Sequence, residues 1–223
     1  MSEAHPTIAI IGGTGDLGTG LARRWAQAGY PVIIGSRTAD KAQTAVADLR
    51  VVLTERGCKQ IAVEALDNVA AATKADIAVL TVPFAHQAGT LESIKAAVQG
   101  KIVVDVTVPL VPPKVARVQM PAQGSAGQIA QAILGEGVRV VSAFQNVAAQ
   151  HLQGDQAIEC DVLVCGNDKE AREQVVKLVV AAGMRGFHAG SIDNSVAAEA
   201  MTSLLIFINK QYQCHSGIRI TGV

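Results

Sequence analysis

The sequence has no excess charge of either sign, few aromatic side chains and no long apolar run. Its 19 basic and 19 acidic residues cancel, so there is no electrostatic basis for binding nucleic acid or a membrane surface. Aromatic residues make up 3% of the chain, too few for base-stacking surfaces. No apolar run approaches the roughly 18 residues of a membrane-spanning helix, and the first residues do not resemble a secretory signal. We therefore expect a soluble, cytoplasmic protein that binds neither nucleic acid nor membranes.

Cysteines and histidines are also few and scattered. The four cysteines form no Cys-x-x-Cys pair, which favours reduced thiols packed as small apolar residues; a redox pair of Cys160 and Cys165 is the alternative. The five histidines lack the His-x-x-x-His spacing of a metal site, so we expect no metal. The 49% hydrophobic content is enough for a substantial core.

Short runs rich in β-branched residues alternate with longer helix-forming segments. The runs are apolar at nearly every position, which is typical of strands buried on both faces of a parallel sheet. Strands that alternate with helices indicate a doubly wound, mostly parallel α/β sheet. The predicted strands are residues 7–11, 32–35, 77–82, 102–106, 138–142 and 162–165, and the predicted helices are residues 17–29, 41–56, 86–99, 127–134 and 169–182.

Two segments depart from this alternation. Residues 107–125 contain four prolines and follow a strand, which predicts a long loop, and such loops are often functional. Residues 195–211 predict an apolar helix with no further strand to cover. This helix would pack in a small second layer or against another subunit.

A glycine-rich turn joins the first predicted strand to the first predicted helix. Gly13-x-Gly15-x-x-Gly18 has the context that a dinucleotide site requires, between a buried strand and an amphipathic helix. The glycines allow a tight turn, close approach of the backbone to a pyrophosphate, and close packing of the helix on the strand. Thr19, not lysine, follows Gly18, which disfavours a phosphate loop of the NTPase type. A glycine-rich turn with no ligand is the alternative.

The end of the second predicted strand favours NADP(H) over NAD(H). Enzymes that prefer NAD usually place Asp or Glu there to bind the ribose 2′-hydroxyl. This chain has Ser36, Arg37 and Thr38, with Lys41 one turn further on. Arg37 can stack on adenine and bond a 2′-phosphate, while the other side chains add donors and charge. The alternative is that Arg37 and Lys41 are ordinary solvated charges.

Two further predicted strands run into Thr-Val-Pro sequences that end at Pro83 and Pro109. Their carboxyl ends belong at the same sheet edge as the glycine turn, where ligands of open α/β sheets bind. The chain has no Tyr-x-x-x-Lys relay, and no Ser/His/Asp order stands out for nucleophilic catalysis. We therefore predict no catalytic side chain, because direct hydride transfer between two ring systems needs only their positioning.

Seven segments, in order along the chain, resemble the NADPH-dependent reductases of coenzyme F-420 (F420), also called deazaflavin:NADP oxidoreductases. They are residues 11–18, 35–37, 78–83, 101–110, 140–144, 161–168 and 217–222. The resemblance spans nearly the whole chain. It implies a cytoplasmic homodimer that passes a hydride between NADP(H) and the small-molecule substrate F420.

The glycine turn, the strand ends and the resemblance together predict the site residues. Those for NADP(H) are Gly13, Thr14, Gly15, Asp16, Leu17, Gly18, Ser36, Arg37, Thr38, Lys41, Val82, Pro83, His86, Ala149 and Ser216. Those for the deazaflavin are Val108, Pro109, Gln145, Asn146 and Val147. Some family members carry histidine at the position of Gln145, whose amide can donate and accept but cannot carry charge. Residues 1–150 would form an NADP-binding Rossmann domain, and residues 151–223 a smaller C-terminal domain at the acceptor site and the dimer contact.

Two other functions stay open at this point. The same NADPH site would serve a reductase of a free flavin, a ferric chelate or an imine. A non-catalytic module that senses NADP(H) is the third hypothesis, although the composition offers no extended region for binding partners. Turnover with any acceptor would exclude the sensor.

Overall fold

The computed structural model of the protein describes residues 5–223. Within them eight strands form one sheet: β1 (Ile8–Ile11), β2 (Val32–Ser36), β3 (Val63–Asp67), β4 (Ile77–Leu80), β5 (Ile102–Asp105), β6 (Arg139–Ser142), β7 (Asp161–Gly166) and β8 (Arg185–His188). Their order across the sheet is β3-β2-β1-β4-β5-β6-β7-β8. The strands from β3 to β6 are all parallel. β7 is antiparallel to β6, and β8 is parallel to β7.

Helices follow most of the strands, so the predicted doubly wound α/β fold is confirmed. They are α1 (Asp16–Gln27), α2 (Ala39–Glu55), α3 (Asn68–Lys74), α4 (Phe84–Ile94), α5 (Ala126–Leu134), α6 (Ala149–Gln153), α7 (Lys169–Ala181) and α8 (Ser195–Tyr212), with a 3-10 turn at Ile192–Asn194. Among the described residues, no helix has both the length and the apolar character needed to cross a membrane.

The central strands are buried on both faces, which explains their unbroken apolar sequences. Along β1, Ile8 and Ile10 belong to one core cluster, together with Trp25 of α1. The alternate residues Ala9 and Ile11 belong to a second cluster on the other face. Since successive side chains of a strand point to opposite faces, one short strand contributes to the hydrophobic core on both faces of the sheet.

The structure contains two edge strands and two short helices that the sequence pattern did not predict. β3 has the sequence VEALD and β8 has RGFH, and both are partly exposed at the sheet edges. An edge strand need not be apolar throughout, so a search for continuous apolar runs misses it. The short helices are α3 and α6. The predicted helix at residues 86–99 is also shorter than expected, because α4 ends at Ile94 and a run of turns follows.

The segment between β6 and β7 folds back over α1. A Cβ atom on Gly20 would lie 2.5 Å from the Cβ atom of Leu152, so α6 packs directly on the α1 backbone. Arg23 and Arg24 of α1 donate to several backbone carbonyls of this segment, including those of Leu152 and Gly154. The sheet continues past residue 150 through two residue pairs between β6 and β7. A domain boundary at that residue stays a prediction.

Candidate functional site

A cleft of about 1170 Å³ follows the edge of the sheet where β1, β2, β4 and β5 end. Most of the predicted NADP-binding residues line it: Thr14, Gly15, Asp16, Leu17, Gly18, Ser36, Arg37, Thr38, Lys41, Val82, Pro83 and His86. Gly13, Ala149 and Ser216 do not. The structure thus brings together predicted residues from three separate parts of the chain in one continuous cleft.

The glycine loop, residues 12–18, has the geometry of an anion site. A Cβ atom on Gly18 would lie 2.7 Å from the Gly13 backbone, so the start of α1 rests directly on the loop. A Cβ atom on Gly15 would meet nothing within 4 Å. Gly15 is also the N-cap of α1 and supplies no side-chain cap. The first N–H groups of the helix therefore have no side-chain acceptor at the cap, which fits a bound pyrophosphate.

The turn after β2 leaves two cations at one end of the cleft. Arg37 and Lys41 are exposed there, and neither has an ion-pair partner within residues 5–223. The acid nearest to this turn along the sheet is Asp67 of β3, which pairs with Ser36 of β2. Its carboxylate caps α3 by accepting from the backbone N–H groups of Val69 and Ala70, each at 2.9 Å. The cations are thus available for a phosphate on the cofactor ribose.

The opposite end of the cleft has apolar walls. The turn between β4 and α4 contributes Val82 and Pro83, and the first residue of α4 contributes Phe84. The β5 loop, defined here as residues 106–110, contributes Val106, Thr107, Val108 and Leu110 from across the cleft. Of the predicted acceptor residues, Val108 lines the cleft directly, while Pro109 lies between two lining residues. This end suits flat ring systems from which water is excluded.

A buried carboxylate lies beneath the β5 loop, and sequence reasoning missed it. Asp105 is fully buried, and one of its oxygens accepts from the backbone N–H of Thr107 at 2.9 Å. Its other oxygen accepts from the side-chain amide of Gln87 on α4. Burial raises the pKa of Asp105 to about 6. In the sequence, the one sign of this buried carboxylate is an acidic residue at the end of an otherwise apolar strand.

Gln145, Asn146 and Val147 lie behind this wall and do not line the cleft. The Gln145 amide donates to the backbone oxygen of Asp105 at 2.9 Å and to the Ser142 hydroxyl at 2.8 Å. The Asn146 amide donates to the backbone oxygen of Ala198 on α8 at 2.8 Å. Their donors are engaged within the protein, and their predicted contact with the acceptor stays a prediction.

Ala149 and Ser216 lie in the segments that the resemblance assigned to the nicotinamide. Ala149 begins α6. The backbone N–H and hydroxyl of Ser216 both donate to the Asn209 side chain at 2.6 Å, which fixes the tail to the end of α8. The rings of His151 and His215 are 5.1 Å apart, so α6 and this tail are neighbours.

The structure describes both members of the possible redox pair, Cys160 and Cys165. Cys160 and Cys165 are both buried and free, and burial raises the pKa of both thiols, that of Cys165 to about 11. A protonated thiol is a poor nucleophile, which disfavours a redox role. Within residues 5–223 no three His, Cys, Asp or Glu side chains are grouped to hold a metal ion.

Known proteins that match this chain include several F420-dependent NADP reductases. A family model described as NADP oxidoreductase coenzyme F420-dependent matches residues 7–109. The F420-dependent NADP reductase of Methanocaldococcus jannaschii is 40% identical over 222 residues, covering 97% of this chain and 98% of that protein. The enzyme of the same name from Methanothermobacter thermautotrophicus is 40% identical over 223 residues, covering 97% and 95%. A crystal structure from Arthrobacter sp. FB24, provisionally described as an F420-dependent NADP reductase, superposes with a TM-score of 0.76 at 25% identity, covering 96% of this chain and 99% of that one.

Proposed function

The chain belongs to the family of F420-dependent NADP reductases, and from this premise we propose that it transfers a hydride between NADP(H) and coenzyme F420. The observation that carries the proposal is the single cleft that joins the glycine loop, the cationic turn after β2 and the apolar ends of β4 and β5. These three parts match the pyrophosphate, the 2′-phosphate and the nicotinamide of NADP(H).

In this proposal the protein recognises the cofactor through its phosphates. The glycine loop and the start of α1 bind the pyrophosphate, and Ser36, Arg37, Thr38 and Lys41 bind the 2′-phosphate. Hydrogen bonds to charged groups are worth about 1.5–3 kcal/mol each, so a few of them suffice to select NADPH over NADH. The apolar residues Val82, Pro83 and Val108 then border the reacting rings.

The bound nicotinamide and deazaflavin rings supply the hydride chemistry. The protein holds one ring against the other and keeps water away from them. No side chain is needed as an acid or a base for the transfer itself. The buried Asp105–Gln87 pair contributes by fixing the β5 loop, so it is a positioning pair and not a catalytic one.

The test is a direct assay of purified protein with NADPH and oxidised F420. We expect rapid loss of the visible absorbance of the deazaflavin with NADPH and little loss with NADH. The reverse reaction, from reduced F420 and NADP⁺, should restore the absorbance. If NADPH binds tightly but the absorbance is unchanged, the acceptor is wrong, and assays with flavins, ferric chelates and imines would follow.

We also propose a homodimer that associates through α8. Leu204 and Phe207 of this helix are exposed, as are Tyr212 at its end and Val118 in the loop beside it. The Ser203 hydroxyl donates to the backbone oxygen of Arg117 at 3.2 Å, which ties that loop to the helix. An apolar face of this kind is typical of a surface that a second subunit covers.

Two further expectations complete the proposal. Residues 1–150 form the NADP(H)-binding Rossmann domain, and residues 151–223 form a smaller domain that contributes to the acceptor site and to the dimer contact. The enzyme works in the cytoplasm, since its four cysteines are free thiols, as is usual in a reducing compartment. Immunodetection in fractionated cells of the source organism tests the location.

A further inference from the structure

Asn68, the first residue of α3, lies between the ends of β1 and β2. Its side-chain Oδ1 accepts a hydrogen bond from the backbone N–H of Gly12 at 3.1 Å, across 56 positions of sequence. The residue is 8% exposed, and it lines the cleft. No part of the glycine fingerprint or of the family resemblance pointed to it.

The hydrogen bond to Gly12 fixes the orientation of the Asn68 amide. A backbone N–H can only donate, so the atom that faces Gly12 must be the carbonyl oxygen. A Cβ atom on Gly35 would lie 2.9 Å from this oxygen, so the absence of a side chain at residue 35 leaves room for the amide. The Nδ2 group accordingly turns away from Gly12. Nothing within residues 5–223 accepts a hydrogen bond from it.

We propose that Asn68 binds the adenosine ribose of NADP(H) and that its Nδ2 group donates to the 2′-phosphate. The ribose must connect the pyrophosphate on the glycine loop to the 2′-phosphate beside Ser36 and Arg37. Asn68 touches Gly12 of the first site and stands against Gly35, next to Ser36 of the second. The residue as a whole is 8% exposed, and its Nδ2 group has no acceptor within residues 5–223. A phosphate oxygen is a strong acceptor. This inference rests on the NADP(H) site proposed above.

The sharpest test is Asn68→Asp, which has nearly the same shape. The variant keeps an oxygen for the Gly12 N–H and replaces the donor by a carboxylate oxygen. We expect the dissociation constant for NADPH to rise at least tenfold. The constant for NADH should stay the same or fall, because a carboxylate can accept from a free 2′-hydroxyl. Calorimetric titration measures both constants without F420.

Asn167→Asp is the matched control. Asn167 also uses its side-chain oxygen to accept from a backbone N–H, that of Ile192 at 3.1 Å, and it does not line the cleft. The same chemical change at this residue should leave both dissociation constants within about twofold of those of the unaltered protein.

Equal changes in the two constants for Asn68→Asp, or no change, would overturn the inference, since a purely structural role does not discriminate between the cofactors. If the unaltered protein shows no preference for NADPH, the proposed NADP(H) site itself fails. Should the variant not fold, NMR of the unaltered protein decides. The side-chain amide signals of Asn68 should shift with 2′-AMP and much less with adenosine, and equal shifts would contradict the proposal.

Discussion

Gln87 on α4 and Asp105 at the end of β5 are joined by a buried hydrogen bond that links the two walls of the cleft. The residues just before Gln87 line one wall, and the β5 loop after Asp105 lines the other. Gln87 also donates to the backbone oxygen of Ala126 at 2.9 Å, so the start of α5 is held by the same amide. The two walls are therefore connected by two buried side chains that do not themselves line the cleft.

Gln87→Leu should weaken both the fold and the positioning of the β5 loop. It leaves an oxygen of the buried Asp105 carboxylate without its side-chain donor, which costs about 1–3 kcal/mol of unfolding free energy. We expect kcat to fall severalfold while the dissociation constant for NADPH changes little. Urea denaturation and steady-state kinetics measure the two effects. Gln43→Leu, on the exposed face of α2, is the control and should change neither. An unaltered kcat for Gln87→Leu would contradict the positioning role.

Arg37→Ala should reduce the affinity for NADPH by about 10- to 100-fold, because a charge-assisted hydrogen bond of about 1.5–3 kcal/mol to the 2′-phosphate is lost. The affinity for NADH should be nearly unchanged. Lys59→Ala removes an equally exposed cation outside the cleft and serves as the control. A parallel loss of affinity for both cofactors would place Arg37 away from the 2′-phosphate.

Glu199 should make the stability of the protein depend on pH. This buried α8 residue accepts from the backbone N–H groups of Ala126 at 2.7 Å and Gly127 at 3.0 Å. Burial raises its pKa from 4.5 to about 7. Between these values the folded chain holds a proton that the unfolded chain has lost, so the unfolding free energy falls as pH rises through this interval.

Glu199→Gln should flatten that slope, since it removes the titrating group. Urea denaturation at several pH values between 4.5 and 7 measures the slope, to which Asp105 also contributes below about pH 6. Glu136→Gln, at an exposed position, should retain the slope of the unaltered protein. An identical slope in Glu199→Gln would mean that Glu199 does not titrate in this range.

Phe207→Asp should convert the proposed dimer to a monomer, because it places a charge within the apolar face of α8. Sedimentation equilibrium should then give the mass of one 23.1 kDa chain in place of two. Val180→Asp changes a similarly exposed apolar residue on α7 and should leave the dimer intact. A dimer that survives Phe207→Asp would move the interface to another surface.

The predicted residues that the structure brings to one cleft are mostly those encoded within a few positions of a strand end. The glycine loop and the turn at Arg37 each follow a buried strand directly, and a strand end is fixed by local hydrophobic pattern. The Asn68–Gly12 bond escaped prediction because it joins residues 56 positions apart. The same holds for the Gln87–Asp105 pair, whose two members lie on different elements.

The backbone just before Gln145 has a feature that the sequence pattern did not predict. The segment of Gln145 does lie behind the cleft wall, yet the Gln145 amide turns inward to Asp105 and Ser142. The preceding residue, Phe144, has a φ of 72°, which is rare for a bulky side chain and redirects the backbone at this point. Spacing along the chain does not encode such a reversal. At this point the Phe144 ring packs against Trp25, at a ring-centroid distance of 5.9 Å.

β3 and β8 are the two edge strands of the sheet, and their sequences affect how the protein behaves at high concentration. Each is only four or five residues long, and each carries charged or titratable side chains, Glu64 and Asp67 on one and Arg185 and His188 on the other. Short, charged edge strands resist the addition of a strand from another molecule. The chain should therefore be protected from aggregation by sheet extension, which leaves the helical surface of α8 as the place for the proposed dimer contact.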